Sequence, residues 1–177
     1  LAGTVLLAGA PAFAGEPAAT SVGAHAGFEM GSTVGSTLSQ AEIDGLLWMR
    51  EEEKLAHDVY LTLYEEWGIA TFSNIARAEQ RHLEAVSRLL GRYGIEDPAD
   101  DLALGEFSVG ALQDLYDRLI AQGSQSLAEA LKVGAAIEEI DIVDLKEEIT
   151  QAEASDVQRL YGNLLRGSEN HLQAFVS

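Results

Sequence analysis

From residue 39 onward the sequence carries the pattern of amphipathic helices. In four long stretches, apolar side chains recur at alternating steps of three and four residues, which places them on one face of a bundled helix. Ser39-Gln-Ala-Glu42 and Ser126-Leu-Ala-Glu129 are capping boxes, which begin helices. Gly68, Gly94 and Gly123 each follow one of the helical stretches, a position where glycine ends helices. No segment favours a strand, so the chain is predicted to be all-α.

The predicted helices have the order and lengths of a four-helix bundle with one long crossover. Two long helices come first, a connection with a short extra helix follows, and two more long helices complete the domain. Residues 95–107 contain Pro98 and an acidic cluster, and are predicted to be a loop. The predicted helices run from Ser39 to about Trp67, from Thr71 or Ser73 to about Tyr93, from Ser108 to about Gln122, from Ser126 to about Ala152, and from Ser155 to the C-terminus.

Polar residues interrupt each apolar stripe. They are Glu53 in the first long helix, Glu79 and His82 in the second, Glu138 in the third, and Ser168 and His171 in the fourth. An ionised carboxylate in an apolar core is strongly unfavourable unless it is paired or binds a cation, and the stripes contain no Lys or Arg. A divalent metal resolves this conflict, because carboxylates and neutral imidazoles are ligands for iron, manganese or zinc.

Solvated or salt-bridged acids are the alternative interpretation. Glutamate is abundant in this chain, so a single Glu79-Gln-Arg-His82 motif also arises by chance. Residues 51–53 are three consecutive glutamates, and Glu138 is followed by Glu139, so an acid falls on any helix face at these points. The coincidence across four helices favours the metal site.

The composition restricts the kinds of partner. The chain has 29 acidic and 11 basic residues, a formal net charge of −18 at pH 7. This charge argues against nucleic-acid binding and against membrane attachment through basic residues. Hydrophobic residues make up 47% of the chain, enough for an ordinary core. The sequence contains no cysteine, so any metal is restricted to carboxylate and imidazole ligands.

The first 38 residues differ from the rest. Residues 1–14 are apolar and end in Ala12-Phe13-Ala14, so we interpret them as the remnant of a signal peptide, with a short buried helix as the alternative. Residues 15–38 are rich in Gly, Ala, Ser and Thr and are predicted to be a flexible linker. The helical domain then comprises residues 39–177. We expect a secreted, periplasmic or cell-envelope protein, with no membrane insertion after signal cleavage.

Two segments resemble known proteins. Glu53-Lys-Leu-Ala56-His-Asp-Val-Tyr60 is similar to the Glu-x-x-Ala-x-x-x-Tyr run of rubrerythrin-type proteins. The wider string from Met49 to Tyr60, together with Gly167-Ser-Glu-Asn-His171-Leu, resembles a ferritin-like domain of unknown function found in bacteria and archaea. The resemblance covers residues 39–177 and implies membership of the ferritin-like di-iron carboxylate superfamily.

The resemblance implies a set of metal ligands. Ferritin-like di-iron proteins use one Glu from each of two helices and a Glu-x-x-His motif from each of the other two. The matching residues here are Glu53, Glu79, His82, Glu138 and His171.

One carboxylate of this set is missing, because Ser168 lies three residues before His171. Asp141, one turn after Glu138, is the predicted replacement, and Glu139 and Glu169 are weaker candidates. We expect His57 to lie on the surface or behind the ligands. A mononuclear or asymmetric site therefore remains an alternative to two metals.

Two functions follow from these observations. The first is a di-iron protein that oxidises Fe(II) or reduces dioxygen or peroxide, with manganese or zinc as alternatives to iron. The second is a degenerate ferritin-like bundle that acts as a secreted, acidic, non-enzymatic binding module. We expect a monomer or a small homo-oligomer. No catalytic residue is assigned.

Overall fold

The computed structural model describes residues 37–177, and all regular secondary structure in this range is helical. The predicted all-α class is therefore confirmed for this part of the chain. The predicted signal remnant at 1–14 and nearly all of the predicted linker at 15–38 lie outside the described residues. The helices are α1 (Gln40–Trp67), α2 (Ala70–Tyr93), α3 (Gly110–Gly123), α4 (Leu127–Gln151) and α5 (Ser155–Val176).

Local sequence signals set the ends of several helices. Ser39 and Glu42 form the predicted capping box of α1, in which the Glu42 N–H donates to Ser39 Oγ (3.3 Å) and the Ser39 N–H donates to Glu42 Oε2 (2.9 Å). Ser126 Oγ accepts from a backbone N–H in the first turn of α4. Gly68 and Gly94 follow α1 and α2 with φ of 65° and 68°, in the left-handed region that favours glycine.

Other helix starts differ from the prediction. The caps predicted at Thr71 or Ser73 and at Ser108 are wrong, because α2 begins at Ala70 and α3 at Gly110. In α5, Ser155 is the first helical residue and not its cap. The residues at the three N-cap positions have no side-chain cap bond and are Ile69, Val109 and Ala154.

Carboxylates of α1 satisfy the exposed N–H groups at two of these starts. Glu51 Oε2 accepts from the backbone N–H groups of residues 108 and 109 (2.9 and 3.3 Å), at the start of α3. Glu42 Oε1 accepts from the N–H groups of residues 153 and 154 (2.8 and 2.7 Å), at the start of α5. Helix N-termini attract negative charge, so these contacts tie α1 to α3 and to α5.

The helices pack as two pairs. Short connections join α1 to α2 and α4 to α5, and each pair is in extensive contact; α1 also contacts α4, α2 contacts α5, and α3 rests on α1 and α4. The predicted stripes of α1, α2 and α5 lie largely in the interior. In the first half of α4 the register is different, since Val133 and Ile137 are buried whereas Leu131 and Ala135 are half-buried. None of the helices described here is long and apolar enough to cross a bilayer.

Side chains of α1 also hold the connection between α2 and α3. Arg50, Lys54 and Asp58 are all buried and lie on the face of α1 turned toward this connection. Arg50 Nε donates to Asp97 Oδ2 (2.8 Å), and Lys54 Nζ donates to the Ala103 carbonyl (2.7 Å). Asp58 Oδ2 accepts from the Gly105 N–H (2.8 Å).

Candidate metal centre

The polar interruptions of the stripes meet in the interior. Glu53, Glu79 and Glu138 are 3%, 2% and 2% exposed, and His171 is 9% exposed. His82 is half-buried at the edge of the same cluster. The helix pairs bring these residues together because α1 packs on α2 and α4, and α2 packs on α5.

The first of two groups consists of Glu53, Glu79 and His82. His82 Nδ1 lies 3.1 Å from Glu53 Oε2 and 2.7 Å from Glu79 Oε2. One ligand atom from each residue lies within 4.8 Å of the others, a spacing that a single metal ion can bridge.

The second group consists of Glu79, Glu138 and His171. His171 Nδ1 lies 2.7 Å from Glu79 Oε1 and 3.6 Å from Glu138 Oε2. Glu79 therefore uses one carboxylate oxygen toward each histidine. The two imidazole rings lie 5.6 Å apart between centroids, on opposite sides of this shared carboxylate.

Two oxygens of the cluster, Glu53 Oε1 and Asp141 Oδ1, are buried without a hydrogen-bond partner. Buried polar atoms are almost always satisfied, so each of these two needs a partner that the chain does not supply. The ion pairs of Glu53, Glu79 and Glu138 in the described range are made with histidine alone. Carboxylate and imidazole donors without a Lys or Arg partner fit a divalent metal ion.

The histidines and carboxylates of the cluster also act on one another electrostatically. Burial alone would lower the pKa of His82, but its contacts with Glu53 and Glu79 raise that pKa to about 11. Contacts with Glu138 and Glu79 likewise outweigh burial and raise the pKa of His171 to about 9. Burial would raise the pKa of Glu79, yet the two imidazoles lower it to about 2. Without metal, the two imidazolium groups are the cations nearest to the carboxylates.

Asp141 lies beside the cluster, on the next turn of α4 after Glu138. Burial raises its pKa to about 7, and a hydrogen bond from Ser168 Oγ partly offsets that rise. Ser168 also donates to the Leu164 carbonyl (3.0 Å). The serine at the position of the missing glutamate thus contacts the carboxylate predicted to replace it.

Two contacts of the site were not predicted. The Tyr60 hydroxyl donates to Glu138 Oε1 (2.6 Å), and Tyr60 is fully buried. A Cβ atom at Gly167 would lie 2.6 Å from His82 Nε2, so the absence of a side chain there makes room for the imidazole ring. Both residues stand within the strings that carry the family resemblance, but only the packing of the helices reveals these contacts.

The structure places the other candidates outside the two groups. His57 Nδ1 lies 2.8 Å from Asp58 Oδ1, on the α1 face that holds the α2–α3 connection. Glu139 and Glu169 are exposed, and Glu169 lies 3.9 Å from Lys146 Nζ.

An apolar wall encloses the cluster on the side of α3. A cavity of about 30 Å³, measured as space open to the centre of a water-sized sphere, lies between the carboxylates and this helix. Its apolar side includes Leu112, Leu115 and Leu119 of α3, and its polar side includes Glu53, Glu79, Glu138 and Asp141. A volume of this size holds roughly two water molecules, so the wall leaves room only for small molecules at the site.

The fold and the site define an all-helical protein with a buried carboxylate–imidazole cluster suited to a metal ion. Residues 42–177 match the family described as "Uncharacterized protein domain (DUF2202)", and the chain belongs to this family.

The chain is also similar to an archaeal protein of known structure. It is 48% identical over 139 residues to "Uncharacterized protein MJ0754" of Methanocaldococcus jannaschii. The aligned residues are 78% of this chain and 75% of that protein. The chain also superimposes on the solved structure described as "Crystal structure of hypothetical protein MJ0754 from Methanococcus jannaschii DSM 2661", with a TM-score of 0.79 and 46% sequence identity. The superposition covers 82% of this chain and 83% of that one. The helical fold is therefore shared with an experimentally determined structure.

Proposed function

We propose that this protein is a ferritin-like metal protein that binds two iron ions and uses them to oxidise Fe(II) or to reduce dioxygen or peroxide. The observation that carries the proposal is the shared carboxylate of Glu79. Each of its oxygens lies 2.7 Å from the Nδ1 atom of a different histidine. A carboxylate between two imidazole-containing groups suits a pair of metal ions.

The ferritin-like part of the proposal is supported by the order and packing of the helices. Two pairs of consecutive helices, α1–α2 and α4–α5, pack together, and a long connection containing α3 joins them. This order supports a four-helix bundle with one long crossover, the context in which di-iron carboxylate sites occur.

The proposal assigns roles to individual side chains. Glu53 and His82 would hold one ion, Glu138 and His171 would hold the other, and Glu79 would bridge them. Asp141 would supply the carboxylate that Ser168 does not.

When bound, two Fe(II) ions supply the two electrons that, with two protons, reduce dioxygen to hydrogen peroxide or hydrogen peroxide to two waters. The side chains of the protein position the carboxylates and exclude water from them. The Tyr60 hydroxyl donates a hydrogen bond to Glu138 Oε1 and so orients that carboxylate. Ser168 donates to Asp141 in the same way. Leucines of α3 keep bulk water and large molecules from the carboxylates.

Manganese, zinc or a single ion are the alternatives in this proposal, because oxygen and nitrogen ligands also suit these metals. The secreted or cell-envelope location inferred from residues 1–14, and a monomeric or small homo-oligomeric state, belong to the proposal as well.

A second candidate function is a secreted acidic binding module without enzymatic activity. The observation that favours it is Ser168, which stands at the position of a ligand and donates a hydrogen bond to Asp141. In that case Glu53 and Asp141 would be neutral, as their raised pKa values, caused first by burial, permit.

Anaerobic titration with Fe(II), followed by addition of dioxygen or peroxide, separates the two functions. The proposal expects saturable binding of two ions per chain and an absorbance change on oxidation. Glu79→Ala is expected to abolish both signals, whereas Glu139→Ala, on the exposed neighbour of Glu138, leaves them unchanged. Equal behaviour of the two variants, or no saturable binding, would reject the di-iron function.

A further inference from the structure

A row of carboxylates on α4 continues beyond the candidate metal centre. Glu138 is followed by Asp141, Asp144 and Glu148, at steps of three, three and four residues. Residues at this spacing lie on one face of a helix, about one turn or 5 Å apart. Only the first of the four belongs to the two groups described above.

This row faces α1. The carboxyl groups of Asp144 and Glu52 interact with each other, and the charge of Asp141 also acts on Glu52. At the far end of the row, a Cβ atom on Gly45 of α1 would collide with Glu148 Oε2. The acidic seam, defined here as Glu52, Asp141, Asp144 and Glu148, therefore runs between α1 and α4.

Side chains along the seam are buried without partners. Glu52 Oε2 and Asp141 Oδ1 are shielded from solvent and accept no hydrogen bond. Tyr161 is fully buried, and its hydroxyl also has no hydrogen-bond partner. This hydroxyl would lie 3.2 Å from a Cβ atom at Gly45, the same atom that would collide with Glu148. The space left by Gly45 is thus flanked by a carboxylate and a free hydroxyl, both oxygen donors for a hard cation.

Basic residues do not balance these acids. No ion pair among the described residues joins Lys or Arg to a carboxylate of the seam. Lys146 lies on the same helix, but it is exposed and its partner is Glu169 (3.9 Å). Burial first, and the neighbouring carboxylates of Glu147 and Asp144 second, raise the pKa of Glu148. The arrangement is unfavourable for the apoprotein, which indicates a role beyond stability.

We propose that the acidic seam is the access path along which divalent cations reach the metal centre, from half-buried Glu148 through Asp144 and Glu52 to Asp141. This inference rests on the proposed metal function and adds a kinetic role for Glu52, Asp144 and Glu148, which are not ligands. The wall of the site formed by α3 cannot serve this purpose. There the leucines of α3 offer no oxygen donors, and a cation would lose its hydration without compensation.

The rate of metal loading tests the path. Apoprotein is mixed with Co(II) in a stopped-flow instrument, and the absorbance of Co(II) in the nitrogen- and oxygen-liganded site is followed. Replacing both outer carboxylates, Asp144→Asn with Glu148→Gln, is expected to slow loading at least tenfold while the final stoichiometry stays unchanged. As a control, Glu147→Gln removes a single carboxylate charge from the exposed neighbouring position and is expected to load within twofold of the wild-type rate.

A steric variant tests the same path without changing any charge. Gly45→Ala places a methyl group against Glu148 and is expected to slow loading as well, with unchanged stoichiometry. Circular dichroism establishes that each variant is folded; the loss of buried like charges in the double variant is expected to raise its melting temperature, not to lower it.

The outcomes separate the two proposals. If the double variant and the Gly45→Ala variant both load as fast as Glu147→Gln, the access path is wrong while the metal centre stands. If wild-type protein binds neither Co(II) nor Fe(II) at equilibrium, the metal function fails and the path fails with it.

Discussion

At the scale of single residues, Ser168 bears most directly on the number of carboxylates in the proposed centre. It stands where the resemblance requires a glutamate, and its hydroxyl instead donates to Asp141. The side chain is 1% exposed, so this contact is an interior one. In the proposed centre, Asp141 of α4 would replace the carboxylate that α5 lacks, and the bond from Ser168 would orient it.

We therefore expect Asp141→Asn to reduce iron binding from two ions per chain to one, because the amide cannot replace a charged oxygen ligand. Ser168→Ala removes only the orienting bond and is expected to weaken binding by about 10- to 100-fold, with two ions still bound at saturation. Both stoichiometries are measured by anaerobic Fe(II) titration, with Glu139→Gln as the charge-matched control. Two tightly bound ions in Asp141→Asn would show that this carboxylate is not a ligand.

Gly167 is a second residue whose role depends on a close approach. A side chain there would meet the His82 ring, whereas Gly162, also on α5, has open space around it. Gly167→Ala is expected to displace His82 and to weaken metal binding at least tenfold.

Gly162→Ala is the control for this substitution. It is expected to leave metal binding unchanged and to stabilise the fold by roughly 0.5–1 kcal/mol, because alanine is the better helix former. Metal titration and urea unfolding measure the two effects. Equal metal affinities in the two alanine variants would contradict the role of Gly167.

At the scale of helices, the three consecutive glutamates of α1 have three different functions. Glu51 binds the N–H groups at the start of α3, Glu52 contacts Asp144 in the acidic seam, and Glu53 enters the candidate metal centre. Helical geometry points consecutive residues in different directions. One short acidic run therefore connects α1 to two other helices and to the site.

The same scale shows what the sequence predicts and what it does not. The ends of α1 and α2 at Gly68 and Gly94 follow from local chemistry and were predictable. The caps of α3 and α5 were not, because their acceptors, Glu51 and Glu42, lie far away in the sequence.

The site divides in the same way. The helical spacing of the sequence was sufficient to predict that Glu53, Glu79 and His82 point into the interior of the domain. Other features depend on how the helices pack against one another, which the apolar periodicity of a single helix does not determine. They are the bond from Tyr60 to Glu138, the space at Gly167 and the register at the start of α4.

The cap that Glu42 supplies to α5 makes stability depend on pH. Burial opposes ionisation, but the N–H donors of Ala154, Ser39 and Glu153 lower the pKa of Glu42 from its usual 4.5 to about 2. The carboxylate therefore contributes fully above pH 4.5, and the contribution is lost as the pH falls toward 2. Glu42→Gln is expected to lower the free energy of unfolding by about 1 kcal/mol at pH 7.

Urea unfolding at pH 7 and near pH 2 measures this difference, which is expected to vanish at the lower pH. Asp44→Asn, on the exposed face of the same turn, serves as the control. A difference between Glu42→Gln and wild type that is equally large at both pH values would contradict the assignment.

At the scale of the whole molecule, the net charge of −18 has two components. Exposed acids repel one another and are screened by any salt. The buried carboxylates at the centre and along the seam are shielded from salt, so only an ion that enters the interior relieves them. The two components are therefore distinguishable by the kind of cation that stabilises the protein.

Fe(II) or Mn(II) at a hundred times its dissociation constant is expected to stabilise the fold by about 2.7 kcal/mol, which corresponds to a rise in melting temperature of roughly 5–10 °C for a domain of this size. Screening acts on all variants alike, whereas binding at the centre needs the shared carboxylate. Scanning calorimetry of wild type and Glu79→Ala, each with Mn(II) and with Mg(II) at the same ionic strength, separates the two. Mn(II) should raise the melting temperature of the wild type alone. An equal rise in Glu79→Ala would assign the effect to the acidic surface and favour the binding module over the metal protein.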